Sequence, residues 1–144
     1  MSNSLDALRS KVQNILTQNF SVGLDKDGAF TLEYESAKAW VKCWEQEETG
    51  RVFVRVEAPL LWGVKPTPEL FKHIALHSDD FVFGHLWCLE QPDGILILFT
   101  HTLLGEYLDD EELMGAVITV VTAGNDLDDD LQGMFGGKRY ADHV

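Results

Sequence analysis

The chain has 144 residues and is short of basic charge, proline and cysteine. Lys and Arg number 11 against 24 Asp and Glu, a formal net charge of −13. A duplex nucleic-acid binder needs a basic footprint to displace counterions, and a peripheral protein on anionic lipid needs a basic face. The sign of the charge excludes both. No run approaches 18 consecutive apolar residues, so no helical membrane span is expected. A basic stretch followed by an apolar one is missing from the N-terminus, and the chain reads as cytoplasmic. Cys43 and Cys88 have no CxxC partner, and buried free thiols are expected of them. With four prolines, no repeat and no Pro/Ser-rich linker, residues 1–137 read as one domain and 138–144 as a flexible tail.

Catalytic and metal motifs are missing as well. His73 and His77 stand four apart, but the run His73-Ile74-Ala75-Leu76-His77 is not HExxH. Asp126, Asp128 and Asp130 start like a calcium loop, yet Leu131 replaces its glycine and Gly137 its closing glutamate. Gly136-Gly137-Lys138 has Gln132 at the upstream glycine position and Arg139 at the Ser/Thr position of a phosphate loop. No serine lies in a GxSxG frame. The acidic run Asp109–Glu112 is explained as the start of a helix. No catalytic residue, metal site or cofactor is expected, and the chain does not read as an enzyme.

What is present is a core and an uneven charge. Hydrophobic residues make up 45% of the chain, enough for one core at this length. Residues 1–72 hold nine Lys and Arg and ten Asp and Glu, whereas His73–Gly137 holds 13 acids and no Lys or Arg. Leu5, Leu8, Val12, Ile15 and Leu16 recur at helical spacing over Ser4–Asn19. Alternation predicts strands at Phe30–Tyr34, Ala37–Gln46 and Arg51–Ala58, with Pro59 stopping the third or marking an edge. Thr67-Pro68-Glu69 opens a short helix. Phe81–Leu89 and Ile95–Leu104 read as a second hairpin, whose Pro92-Asp93-Gly94 loop pairs Gln91 with Ile95 and His85 with His101. A long helix runs from the acidic turn to about Gln132, with Gly115 and Gly124 as places where it could bend. The order α-β-β-β-α-β-β-α gives an α+β fold with a twisted, mainly antiparallel sheet.

Strand alternation puts Ala37, Ala39, Val41 and Cys43 on one face of their strand and Lys38, Trp40, Lys42 and Trp44 on the other. In the next strand Val52, Val54, Val56 and Ala58 oppose Arg51, Phe53, Arg55 and Glu57. The aliphatic faces belong to the core. Trp40, Lys42, Trp44, Phe53 and Arg55 are the candidate partner-binding residues. A four-residue loop pairs Trp44 with Phe53 and Lys42 with Arg55, an unfavourable cation pair unless an acid lies between; a two-residue shift pairs Lys42 with Glu57 instead. The second hairpin is apolar on both faces and wants cover on both.

The chain resembles the YbjN-like family, which is grouped with type III secretion chaperones of the Tir-chaperone type. The resemblance rests on Ala58-Pro59-Leu60-Leu61, Phe83-Gly84-His85-Leu86, Thr102-Leu103-Leu104-Gly105, Leu108–Leu113 and the ending Leu131 to Phe135-Gly136-Gly137. It implies a secretion-chaperone-like fold, homodimerisation and the holding of an extended client polypeptide, with no catalytic residues to carry over. The expected function is a protein- or peptide-binding, chaperone-like or regulatory module acting as a small acidic homodimer. A structural or regulatory dimer with no client is the alternative. A single-stranded nucleic-acid reader stacking bases on the aromatics is a third, disfavoured by the charge. Leu70, Phe71 and Ile74 on the short helix are the candidate dimer contacts.

Overall fold

The computed structural model describes residues 3–34 and 37–142. The elements are α1 (Asn3–Asn19), β1 (Val22–Leu24), β2 (Phe30–Tyr34), β3 (Ala37–Glu45), β4 (Val52–Val64), α2 (Pro68–His77), β5 (His85–Gln91), β6 (Gly94–Leu104), α3 (Asp110–Phe135) and β7 (Lys138–Arg139), then a 3-10 turn, Tyr140–Asp142. The expected order holds, with β1 and β7 as short additions. The strands form one antiparallel sheet in the order β1-β2-β3-β4-β6-β5, and β7 pairs with β4.

Local chemistry explains the helix ends. Thr67 caps α2 by accepting from the Leu70 N–H at 3.2 Å, with Pro68 just inside. Asp109 caps α3 by accepting from the Glu112 N–H at 2.8 Å, and Asp110, Glu111 and Glu112 sit at the positive end of the helix dipole. Leu8, Val12, Ile15 and Leu16 of α1 and Leu113, Val117, Val120, Val121 and Leu131 of α3 bury themselves against Val41, Val54, Val56 and Phe99 of the sheet. Leu70 and Ile74 of α2 join the same core, and His73 rests edge-on against Phe135 at the end of α3, 5.3 Å away. The three helices therefore cover one face of the sheet.

Three expectations are corrected. First, β4 does not stop at Pro59 but runs to Val64, with register shifts after Pro59 and after Leu61. A proline lacks the N–H for a regular ladder, and a local irregularity lets the strand pass through it. Secondly, α3 passes unbroken through Gly124. A Cβ there would lie 2.9 Å from Leu60 Cδ2 and 3.2 Å from Ala58 Cβ, so this glycine lets the helix approach the sheet. Thirdly, Gln91 pairs with Gly94, not Ile95, leaving Pro92-Asp93 as a two-residue loop. Because side chains alternate, this one-residue difference turns β5 over. Leu86 and Cys88 face the helices, while His85, Trp87 and Leu89 share the other face with Leu98 and Thr100. His85 thus lies opposite Thr100 rather than His101.

The tail, 138–144, is expected from the sequence to be flexible. Residues 138–142 are placed, and 143–144 lie outside the described residues. Lys138 and Arg139 pair with Trp62 and Leu61 of β4, and Arg139 bonds Asp129 at 2.6 Å and Asp142 at 3.0 Å. Asp126, Asp128 and Asp130, which start like a calcium loop in the sequence, thus lie along α3, and their neighbour Asp129 is tied to the tail. Asp128 is 4% exposed, and its Oδ1 has no hydrogen-bond partner among the described residues. Burial raises its pKa, against the pull of Arg139. A carboxyl with a raised folded pKa contributes stability below its unfolded pKa and loses that contribution as pH rises through the folded value. Asp128→Asn is therefore expected to be more stable than the wild type at neutral pH, with the gap closing in acid below the ordinary aspartate pKa. Urea melts across pH check this; a gap that widens in acid contradicts it.

Candidate functional site

The sheet face opposite the helices carries the candidate residues. Antiparallel pairing aligns them in rows. Thr31, Trp40, Glu57, Thr100 and His85 form one row across five strands. Lys42, Arg55 and Thr102 form the next, and Trp44, Phe53 and Leu104 the third. The four-residue loop explains this register: the Gln46 N–H donates to Arg51 O at 2.8 Å, and the Gly50 N–H to Gln46 O at 2.8 Å. All five candidate partner-binding residues are brought together.

The like-charge pair of Lys42 and Arg55 is relieved as the sequence required. Glu57 is 4% exposed, and its carboxylate lies 3.4 Å from Lys42 Nζ. Arg55 is held by a different set of neighbours. Its Nε donates to Thr102 Oγ1 at 3.2 Å, and its guanidinium lies over the Trp44 ring at 5.6 Å and the Trp87 ring at 6.0 Å. Lys42 Nζ sits 5.4 Å from the Trp40 ring centre. Trp44 and Phe53 stack at 5.4 Å. The result is a layer in which each cation lies against an indole, a contact worth about 0.5–1 kcal/mol at exposed sites.

Trp87 belongs to this face and was missed because the expected hairpin register put it on the face of His101, whereas it lies opposite Leu98. Its indole Nε1 is buried and has no hydrogen-bond partner among the described residues. At the other margin Tyr140 of the tail stands edge-on to Trp40 at 5.6 Å. A shallow groove of about 420 Å3 lies there, lined by Thr31, Glu33, Lys38, Trp40 and Tyr140.

The candidate dimer residues separate. Leu70 and Ile74 are spent inside the protomer, while Phe71 is exposed, as is Leu76 on the same helix. His73 and His77 stack at 4.5 Å, and His77 Nδ1 is 2.7 Å from Asp80. Among the described residues no three His, Cys, Asp or Glu side chains converge as metal ligands. Cys43 and Cys88 are free, and β4 and β6 separate their strands. Burial pushes the Cys43 thiol up to about 11, which makes it a poor nucleophile at neutral pH. No helix is long and apolar enough to cross a membrane.

Residues 6–143 match the family described as T3SS (YopN, CesT) and YbjN peptide-binding chaperone 1. The chain belongs to this peptide-binding chaperone family. It is a chaperone-type peptide-binding protein and not an enzyme. Two solved structures share the fold. The chain in "Crystal Structure of the ExsC-ExsE Complex" is 14% identical with a TM-score of 0.58, over 90% of this chain and 96% of that one. YbjN of E. coli, described as a putative transcription regulator, is 12% identical with a TM-score of 0.60, over 91% and 93%. No curated protein sequence matches this chain.

Proposed function

We propose that this family member holds an extended client segment on the helix-free face of its sheet, as a cytoplasmic homodimer. The observation that carries the reading is the cation–indole layer of Trp40, Lys42, Trp44 and Arg55, with Phe53 and Trp87, on a chain whose net charge is −13. Trp44 is 36% exposed and Leu104 43%, so apolar area reaches solvent between the cations. Aromatic and Arg side chains at the centre of a patch supply most of the affinity in protein interfaces. Lys42 and Arg55 select carboxylates or carbonyl oxygens of the client. The ExsC neighbour, solved with ExsE, supports a polypeptide as the partner. The test is client capture by the intact chain against Trp40→Ala/Trp44→Ala: if the double variant keeps every partner at full strength, this face is not the site.

A regulatory dimer with no client is the second reading, favoured by the description of YbjN and by exposed Phe71 and Leu76 on α2. Both readings place Phe71 at the contact between copies. Light scattering is expected to give twice the 16.2 kDa chain mass for the wild type, and Phe71→Glu is expected to return a monomer that melts as the wild-type protomer does. A wild-type monomer at micromolar concentration ends the dimer proposal.

A further inference from the structure

A second groove lies on the other side of the sheet. Pairing between β5 and β6 ends at His85 and Thr100, and His101–Leu104 continue paired to β4 alone among the described residues. The N-terminal half of α3 packs over this extension and leaves a groove of about 230 Å3. Leu103 and His101 line it from the sheet, and Phe83 stands edge-on to the His101 ring at 5.2 Å. Burial, with His85 nearby, holds the His101 pKa below the ordinary histidine value, so the sheet side of the groove is uncharged at neutral pH. Gly115 of α3 supplies the room: a Cβ there would meet nothing within 4 Å.

The charge around this groove has one sign. Glu111 and Glu112 line it, are exposed, and have no cationic partner among the described residues. They lie in the stretch His73–Gly137, which contains no Lys or Arg. The volume also restricts the occupant. A cavity of roughly 150 Å3 accepts a benzene ring, whereas drug-sized ligands need about 300 Å3 or more. One large side chain fits.

We propose that this groove is a second docking site, taking a partner polypeptide segment in which one large apolar side chain is flanked by Lys or Arg. The apolar side chain enters between Phe83, Leu103 and Gly115, and the basic flank meets Glu111 and Glu112. The free edge of β6 beyond Thr100 offers main-chain hydrogen bonds to the same segment, in the manner of strand addition. The site rests on the peptide-binding reading and extends it. The two sites offer opposite charge, Lys42 and Arg55 at one and Glu111 and Glu112 at the other, so they select different parts of a client.

The probe is the heptapeptide Lys-Ser-Lys-Phe-Lys-Ser-Lys, with a version that has Glu for every Lys and a version that has Gly for Phe. Titration of the isotope-labelled intact chain at low salt is followed by NMR. The expected result is movement of the Gly115 amide and the His101 ring with the Lys-Phe peptide only, weakening as salt is added. Gly115→Leu fills the groove from inside a helix without a backbone clash, and is expected to lower affinity at least about tenfold with no loss of thermal stability. A second variant keeps the test open should that one fold poorly: Glu111→Lys/Glu112→Lys on the exposed rim is expected to reverse the preference toward the Glu peptide. Equal binding of the Lys and Glu peptides, no movement at Gly115, or full affinity in both variants overturns the site. Self-association that Gly115→Leu abolishes overturns the occupant, since the groove then serves a second copy. Client capture that falls with Trp40→Ala/Trp44→Ala and is untouched by Gly115→Leu removes this groove and leaves the basic-aromatic face standing.

Discussion

Trp40→Ala/Trp44→Ala is expected to weaken client binding by about 2–4 kcal/mol, roughly thirty- to a thousand-fold. Four contacts are lost together. Trp44 stacks on Phe53 and lies under Arg55, and Trp40 faces Lys42 and Tyr140. Without these two indoles, Lys42 keeps Glu57 and Arg55 keeps Thr102 and Trp87, and both lose apolar surface that fixes their direction. The fold should survive. Neither tryptophan is in the buried core, and half-buried side chains cost about 1–2 kcal/mol when removed, against a typical domain stability of about 5–15 kcal/mol. Isothermal titration with a captured client, paired with a thermal melt of each variant, separates binding from stability. Arg55→Lys tests the geometry independently. Lysine keeps the charge but not the planar group that spans Trp44, Trp87 and Thr102, so partial loss is expected. Unchanged affinity in both variants would place the client elsewhere.

The largest expected stability effect belongs to Gly84→Ala, a loss of about 2–5 kcal/mol. Gly84 has φ +84°, and a Cβ there would lie 2.6 Å from Phe99 Cε2 and 2.8 Å from Thr100 O. The left-handed backbone costs roughly 1–2 kcal/mol for a residue with a Cβ, and overpacking adds about 1–3 kcal/mol. Relief is difficult. Phe99 is fully buried and wedged edge-on against Phe81 at 4.9 Å, and Thr100 lies in β6, paired on both sides to β4 and β5. Gly50→Ala is the control, since Gly50 has φ +70° and nothing within 4 Å of its added Cβ. It should show the dihedral cost alone. The melting temperature of Gly84→Ala is expected to fall by about 5–20 °C. A fall no larger than that of Gly50→Ala would mean the Phe81–Gly84 segment yields and does not clamp β6.

Both predictions depend on which residues share a face, and the two hairpins differ in how far the sequence decides this. In the first hairpin the aliphatic faces of Ala37–Cys43 and Val52–Ala58 are unmistakable. The faces of these strands are legible in the pattern alone, but two registers fit it, and only the sheet pairing sets Lys42 opposite Arg55 with Glu57 beside Lys42. In the second hairpin both faces are apolar, and alternation carries little information about which set faces inward. A loop one residue shorter than expected put Trp87 beside the basic-aromatic residues and His85 away from His101. The tail was likewise unreadable. Lys138-Arg139 is a strand because β4 runs past the start of β3 and offers Leu61 and Trp62 as partners, and Arg139 finds Asp129 on α3. Nothing local predicts either contact. The groove beside α3 is of the same kind: Gly115 looks like a weak point in a helix until Phe83 and Leu103 are placed beside it.

The sequence by itself determined the element order, the cap of α2, the aliphatic faces of the first hairpin and the charge division between a basic-aromatic strand pair and an acidic second half. These follow from side-chain periodicity and from hydrogen bonds made within a few residues. Only the tertiary structure decided the facing of β5, the passage of β4 through Pro59, the docking of the tail and the existence of a second, acidic groove. Each of those depends on contacts between residues far apart in the chain. Burial and pairing there outweigh local preference, and local preference is the only part a single sequence displays.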